Sequence, residues 1–345
     1  MRGRGVSLIV RADANTRMGT GHLMRCLALA QAWKARGGRA TFITACESDG
    51  LQHRLSDESF QVIRLERSYP DPVDWEVTSR VLAAHSSAWV VLDGYHFDPV
   101  YQRQIKETGH WLLAIDDMAH LDHYYADVVL NQNINAEDLR YSCEPYTRLL
   151  LGTRYALLRS EFLAWRGWQR EVPKVARKVL ITLGGGDPDN QTLKVVQALQ
   201  RVDVDELEAV VVVGASNPHF REVQSAASNS QFGIRLVQNV TNMPELMAWA
   251  DVAVSAGGST CWELAFMGLP SLLLTLADNQ RAAVSMLSEI GISLHLEEAV
   301  RGDLQRIVCK VITLMKDPEA RSAMSQKGMH LIDGLGVTRV LELLN

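Results

Sequence analysis

The stretch RADANTRMGTGHLMRC, residues 11–26, sets a histidine behind a glycine loop. The apolar run VSLIV ends in Arg11 and Asp13, the loop carries Gly19 and Gly21, and His22 opens the helix-like segment that follows. Glycines there let the backbone turn tightly and approach a ligand, and the N–H groups that open a helix make an anion site. A neutral imidazole facing a cleft is a candidate general base. A capping turn with a solvated histidine would use the same spacing. GTGH is not GxGxxG, and no acidic residue closes the following strand as in a dinucleotide site, so NAD is disfavoured.

Three further segments carry polar groups behind apolar runs. LGGGDPDN, residues 183–190, places Gly184, Gly185 and Gly186 where a strand-to-helix turn would meet a phosphate or sugar. Asp187 and Asp189 imitate a DxD metal pair, but Pro188 and Asn190 favour a turn and a helix cap. SAGGSTCWELAFMGLP, residues 255–270, turns through Gly257 and Gly258 into Ser259, Thr260 and, one turn deeper, Glu263. Hydroxyls at a helix start suit a diphosphate, and a carboxylate one turn in suits two ribose hydroxyls. Helix capping by Ser259 with Glu263 in the first turn is the plain alternative. LADNQ, residues 276–280, lets Asp278 cap a helix while Asn279 and Gln280 point across a cleft mouth.

Asp93, Tyr95, Asp116 and Asp117 lie at strand ends of the first half, where they can meet a sugar or cap loops. His120 and His123 beside Asp122 lack the spacing and number of ligands a metal site needs.

These groups need a scaffold of strands and helices. Thirteen short apolar runs alternate with helix-length segments, among them 22–36, 71–84, 98–108, 190–200, 243–250, 260–267 and 279–290. Continuous rather than alternating apolar runs predict strands buried on both faces, hence parallel sheets in βαβ units. The fold class is α/β: two doubly wound, Rossmann-like domains with an interdomain cleft where ligand binds. The expected boundaries are a first domain over 1–160, a helix and linker over 161–177, a second domain over 178–330 and a C-terminal helix over 331–345.

A length of 345 residues suits two domains. The net charge of −5 argues against nucleic acid and anionic membrane as partners. Five scattered cysteines without a CxxC pair argue against a disulfide framework or zinc site. No run reaches the length of a membrane span, and the start is too short in apolar residues for a signal peptide. A cytoplasmic monomer is the expectation.

Taken in order, RADANTRMGTGHLMRCLALAQ, LDGY, IDDMAHLDHYYADVVLNQN, LITLGGGDPDN, SAGGSTCWELAFMGLP and DNQ resemble the UDP-2,4-diacetamido-2,4,6-trideoxy-β-L-altropyranose hydrolases of pseudaminic acid biosynthesis. The SAGGST…E segment is also similar to GT-B glycosyltransferases that transfer N-acetylglucosamine in peptidoglycan synthesis. The resemblance implies a GT-B fold, a UDP-sugar substrate and no cofactor or metal. It makes His22 the catalytic base. Glu263 would hold ribose, and Gly257, Gly258, Ser259 and Thr260 the diphosphate, with Gly19 and Gly21. Tyr95 and Asn279 would meet the substrate, with Gly185 and Asp13 beside them. The alternatives are a transferase of the same fold, a hydrolysing UDP-sugar 2-epimerase and a non-catalytic nucleotide-sugar sensor.

Overall fold

All thirteen apolar runs form strands. In this computed structural model, residues 6–16, 18–214, 216–297 and 303–344 are described. The chain divides into two units, Met1–Ser160 with Gly334–Asn345, and Glu161–Asp333.

The first unit contains β1 (Ser7–Ala12), α1 (Gly21–Ala35), β2 (Arg39–Thr44), α2 (Asp49–Asp57), β3 (Gln61–Arg64), α3 (Pro72–Ala83) and β4 (Ala88–Asp93). It continues through α4 (Pro99–Glu107), β5 (Trp111–Ile115), β6 (Val128–Asn131) and β7 (Arg148–Leu151). Its sheet runs β3-β2-β1-β4-β5-β6-β7, all parallel. The chain moves outward from β1 to β3 and then returns beside β1 as β4. The crevice of a doubly wound sheet lies at that reversal, beyond the carboxyl ends of the strands. Register puts Ala12 level with Asp93 there.

Alternate residues of β1 feed two cores. Leu8 and Val10 pack with Leu23 and Leu27 of α1, while Ile9 joins Val90 and Tyr101. Asp71 and Asp98 cap α3 and α4 ahead of a first-turn proline, which fixes where each helix starts.

The second unit runs α5 (Ser160–Leu163, begun on the last residue of the first unit), β8 (Lys178–Thr182), α6 (Gln191–Leu199), β9 (Glu208–Val212), α7 (Phe220–Ser228), β10 (Gly233–Val237) and α8 (Met243–Trp249). Then come β11 (Val252–Ala256), α9 (Thr260–Phe266), β12 (Ser271–Leu274), α10 (Asp278–Glu289), β13 (Ser293–His295), α11 (Leu304–Lys316) and α12 (Pro318–Leu331). Its sheet order, β10-β9-β8-β11-β12-β13, has the same reversal between β8 and β11. Val179, Ile181 and Val254 form its core with Val195 of α6 and Val311 of α11.

One stretch differs from the sequence expectation. Between residues 155 and 178 only the short α5 is α-helical; Gly167 at φ 82° and the Trp165–Trp168 pair turn the chain instead. The terminal helix α13 (Gly336–Leu343) packs on α1 and belongs to the first unit. Val337, Val340, Leu341 and Leu344 enter that core, and the Trp89 indole donates to the Leu344 carbonyl at 2.8 Å. A Cβ at Gly336 would lie 2.2 Å from the Ala156 carbonyl oxygen, so the close approach requires glycine.

Candidate active site

In the first unit the polar groups collect at the carboxyl end of the sheet. The loop from β1 turns at Gly19, whose φ of 76° suits glycine and whose N–H closes on the Asn15 carbonyl at 2.9 Å. Gly21 then starts α1, and no side chain among the described residues caps that start. His22 sits in the first turn and is mostly buried, with 8% of its side chain exposed.

His22 Nδ1 lies 2.6 Å from Asp93 Oδ1. Asp93 is wholly buried and is also gripped by Arg25, Nε to Oδ2 at 2.6 Å and Nη2 to Oδ1 at 2.7 Å. Burial alone would raise the Asp93 carboxyl, but the Arg25 charge and the bonds from Arg25 and His22 outweigh it and hold it well below the carboxylate range. An ionised carboxylate only accepts, so Nδ1 is the donor in this bond. Nε2 has no protein partner among the described residues. This is the arrangement of a base and its orienting carboxylate.

Arg25 spans two carboxylates, its Nη1 donating to Asp117 at 2.8 Å. Asp117 also accepts from the Tyr95 hydroxyl at 2.5 Å and from Asn133 Nδ2 at 2.8 Å. The Tyr95 ring stands edge-on to His22, centroids 5.0 Å apart. Burial first, and then the Asp117 charge, push the Tyr95 phenol far above its ordinary value, so it is a proton donor rather than a base. Asp116 binds the turn that follows β5 and the Nδ1 of His120.

Asp13 is placed differently. It is fully buried, accepts from Arg11 and from the Ala45 N–H at 2.6 Å, and lies 3.0 Å from His96 Nε2. Its oxygens are held by the protein, so it braces the loop after β1.

In the second unit Ser255 Oγ donates to the Thr182 carbonyl at 2.8 Å and ties β11 to β8 at the reversal. Gly185 follows β8; its carbonyl accepts the Ser216 N–H at 3.1 Å. Asp187 is turned inward and caps α6, accepting from the N–H groups of Gln191 and Thr192, both at 2.8 Å. Asn190 accepts from the Leu193 N–H. These side chains occupy the start of α6, so the second glycine loop does not present that helix start to an anion.

After β11 the chain turns through Gly257 and Gly258. Neither Ser259 nor Thr260 has a hydroxyl partner among the described residues, and Ser259 makes no cap bond. Glu263 is buried one turn into α9. The sequence expectation that Asp278 caps α10 does not hold: Ala277 is the cap residue and Asp278 is exposed. Gln280 reaches back instead, its Oε1 accepting from the Leu276 N–H at 2.9 Å, because the first turn of α10 packs on Gly257. Asn279 is half-buried in the same turn.

The first-unit constellation brings His22, Asp93, Tyr95 and Asp117 together; the second-unit loops bring together Gly257, Gly258, Ser259, Thr260 and Glu263. Arg25 and Asn133 were not singled out from sequence. Their only signal there is position, three residues past His22 and just beyond an apolar run.

Residues 179–333 match the glycosyltransferase family 28 C-terminal domain. The chain is 26% identical over 335 residues to the spore coat polysaccharide biosynthesis protein SpsG of Bacillus subtilis, spanning 96% of each. It is 23% identical over 303 residues to the UDP-2,4-diacetamido-2,4,6-trideoxy-β-L-altropyranose hydrolase of Campylobacter jejuni, 83% of this chain and 97% of that protein. Among solved structures, MurG of Acinetobacter baumannii superposes with a TM-score of 0.65 at 16% identity, over 98% of this chain and 99% of that one. The chain has the GT-B fold. In GT-B terms each unit is one Rossmann-like domain. No helix among the described residues is long and apolar enough to cross a membrane.

Proposed function

We propose that this GT-B chain hydrolyses a UDP-linked diacetamido sugar, releasing UDP and the free sugar. The substrate to try first is the one in the name of the Campylobacter jejuni relative, UDP-2,4-diacetamido-2,4,6-trideoxy-β-L-altropyranose. The observation that carries this reading is the His22–Asp93 pair at the β1–β4 reversal, a buried carboxylate orienting an imidazole whose second nitrogen has no protein partner among the described residues.

In this reading His22 Nε2 takes a proton from water as the water oxygen bonds to the anomeric carbon. The bond from that carbon to the diphosphate oxygen breaks, and UDP leaves with the electron pair. Attack from the face opposite UDP inverts the anomeric centre. Asp93 stabilises the imidazolium that forms, and Arg25 positions Asp93. The Gly257–Thr260 turn, with its two hydroxyls, holds the diphosphate, and Glu263 holds the ribose. Gly19, Gly21, Gly185, Tyr95 and Asn279 complete the substrate contacts. Asp13 supports the loop rather than touching substrate. No step is assigned to a metal.

A transferase of the same fold is the second reading, favoured by the family 28 match over residues 179–333. Incubation with the UDP-sugar in H₂¹⁸O, without an acceptor, separates the two. Hydrolysis yields stoichiometric UDP and free sugar carrying ¹⁸O at the anomeric carbon. UDP that appears only after a sugar acceptor is added would replace the hydrolase reading with the transferase.

A further inference from the structure

We propose that His120 is a second substrate-facing imidazole of the first-unit site, and that it selects the sugar while His22 activates water. This rests on the UDP-sugar reading above.

Three rings stand in file at the carboxyl end of the first sheet. Tyr95 is edge-on to His22 at 5.0 Å and 82°, and edge-on to His120 at 5.5 Å and 83°. The two imidazoles therefore flank one phenol ring. Each is oriented by its own aspartate: His120 Nδ1 lies 2.6 Å from Asp116 Oδ1, as His22 Nδ1 does from Asp93.

Asp116 is buried, which by itself would raise its carboxyl, but His120 and the Ala119 N–H outweigh that and hold it below its ordinary value. It is an acceptor, so His120 Nδ1 donates to it and the ring presents Nε2 on its other side. Nε2 has no protein partner among the described residues.

The turn that carries His120 is held tightly. Asp116 Oδ2 accepts from Met118 N–H at 2.9 Å, from Ala119 N–H at 2.6 Å and from the Tyr141 hydroxyl at 2.9 Å. Ala119 is kept at φ 52°, in the left-handed region that a residue with a Cβ avoids. Such strain persists where surrounding bonds over-determine it, and it clusters at ligand sites. The core does not need this histidine, since 21% of its side chain is exposed.

A neutral imidazole presenting Nε2 accepts a hydrogen bond from an N–H or O–H of the ligand. A diacetamido sugar carries two amide N–H donors, and a sugar with ether or ester substituents at those positions carries none. His120 thus reads a donor on the sugar, and the uridine and diphosphate contacts lie elsewhere.

The test uses the full chain, its His120→Phe and His120→Asn variants, free UDP and the UDP-2,4-diacetamido sugar. Circular dichroism checks that each variant is folded. In calorimetry His120→Phe is expected to bind UDP as the wild type does and the UDP-sugar about tenfold more weakly, the scale of one lost hydrogen bond. His120→Asn, which keeps an acceptor, recovers part of that loss, and kcat falls less than in His22→Phe.

Equal UDP-sugar affinity in wild type and His120→Phe overturns the inference while the hydrolase reading stands. A kcat loss as steep as that of His22→Phe with unchanged affinity overturns it too. A wild type that binds UDP but gains nothing from the sugar removes the UDP-sugar reading and the inference together. If His120→Phe does not fold, ¹⁵N NMR of wild-type His120 decides: Nε2 shifts on adding UDP-sugar but not UDP, and an unmoved signal overturns the assignment.

Discussion

His22 and Asp93 are 71 residues apart in the chain, and Arg25 ties Asp93 to Asp117. Replacing His22 by Asn or Phe is expected to leave UDP affinity unchanged and to lower turnover by about 10² to 10⁴, the range for general-base assistance. A variant with near wild-type turnover would remove His22 from the chemistry. Asp93→Asn keeps the shape but strips Arg25 of one of its two buried counter-charges. Breaking a buried pair in this way costs about 3–5 kcal/mol, which a urea titration would detect, and turnover falls along with stability. Asp93 also sets a pH signature. Its folded-state carboxyl titrates below its unfolded value of about 3.9, so the stability it contributes is complete above about pH 4 and is lost as pH falls further. Urea midpoints measured from pH 7 to pH 3 should decline in the acid range; a rise would contradict the assignment. At this scale the sequence makes His22 legible, because a histidine behind a glycine loop is an unusual spacing. Asp93 is visible only as a polar strand end. Its role depends on β4 lying beside β1, which no local pattern records. Arg25 is hidden more deeply, since an arginine in the first turns of an amphipathic helix reads as part of a solvated face.

The two glycines after β11 serve different ends. A Cβ on Gly257 would sit 2.2 Å from Val284 Cγ2 and 3.1 Å from Gln280 Cβ, whereas one on Gly258 meets nothing closer than 3.9 Å. Gly257→Ala should therefore push α10 outward and cost about 1–3 kcal/mol. Gly258→Ala should melt like the wild type yet bind UDP more weakly, if this turn holds the diphosphate. Melting curves and UDP titrations on both variants check the contrast; equal UDP affinity in Gly258→Ala and wild type would take the diphosphate away from this turn. Elements were the most legible level. Unbroken apolar runs such as VSLIV and WVVLD can only be satisfied between two helical layers, and each became a parallel strand. The helices α2 and α7 escaped notice because each buries little, Leu51 with Leu55 in one and Val223 with Ala227 in the other. The turn residues of 183–190 were harder. A glycine loop with aspartates is compatible with an anion site or a cap, and the inward turn of Asp187, at φ 52°, is what decides for the cap.

Across the whole molecule, a shared GT-B fold joins this chain to proteins with different reactions, so function is argued from the site and not from the fold. The division of the chain is not sequential: the first unit is finished by residues that follow the second. Deleting residues 334–345 uncovers Leu23, Leu27 and Trp89 and removes Val337, Val340, Leu341 and Leu344 from the core. At about 1.5–3 kcal/mol for each buried apolar side chain, the loss should lower the melting transition of the first unit sharply and leave that of the second in place. Scanning calorimetry would show it, and two unmoved transitions would mean that α13 contributes little. Because α13 is made after residues 161–333, the first unit spends the synthesis of the entire second unit with one flank of α1 bare. At about 5–20 residues per second that wait is on the order of 10 to 30 s, a window in which a holding chaperone can decide whether the nascent first unit closes its core.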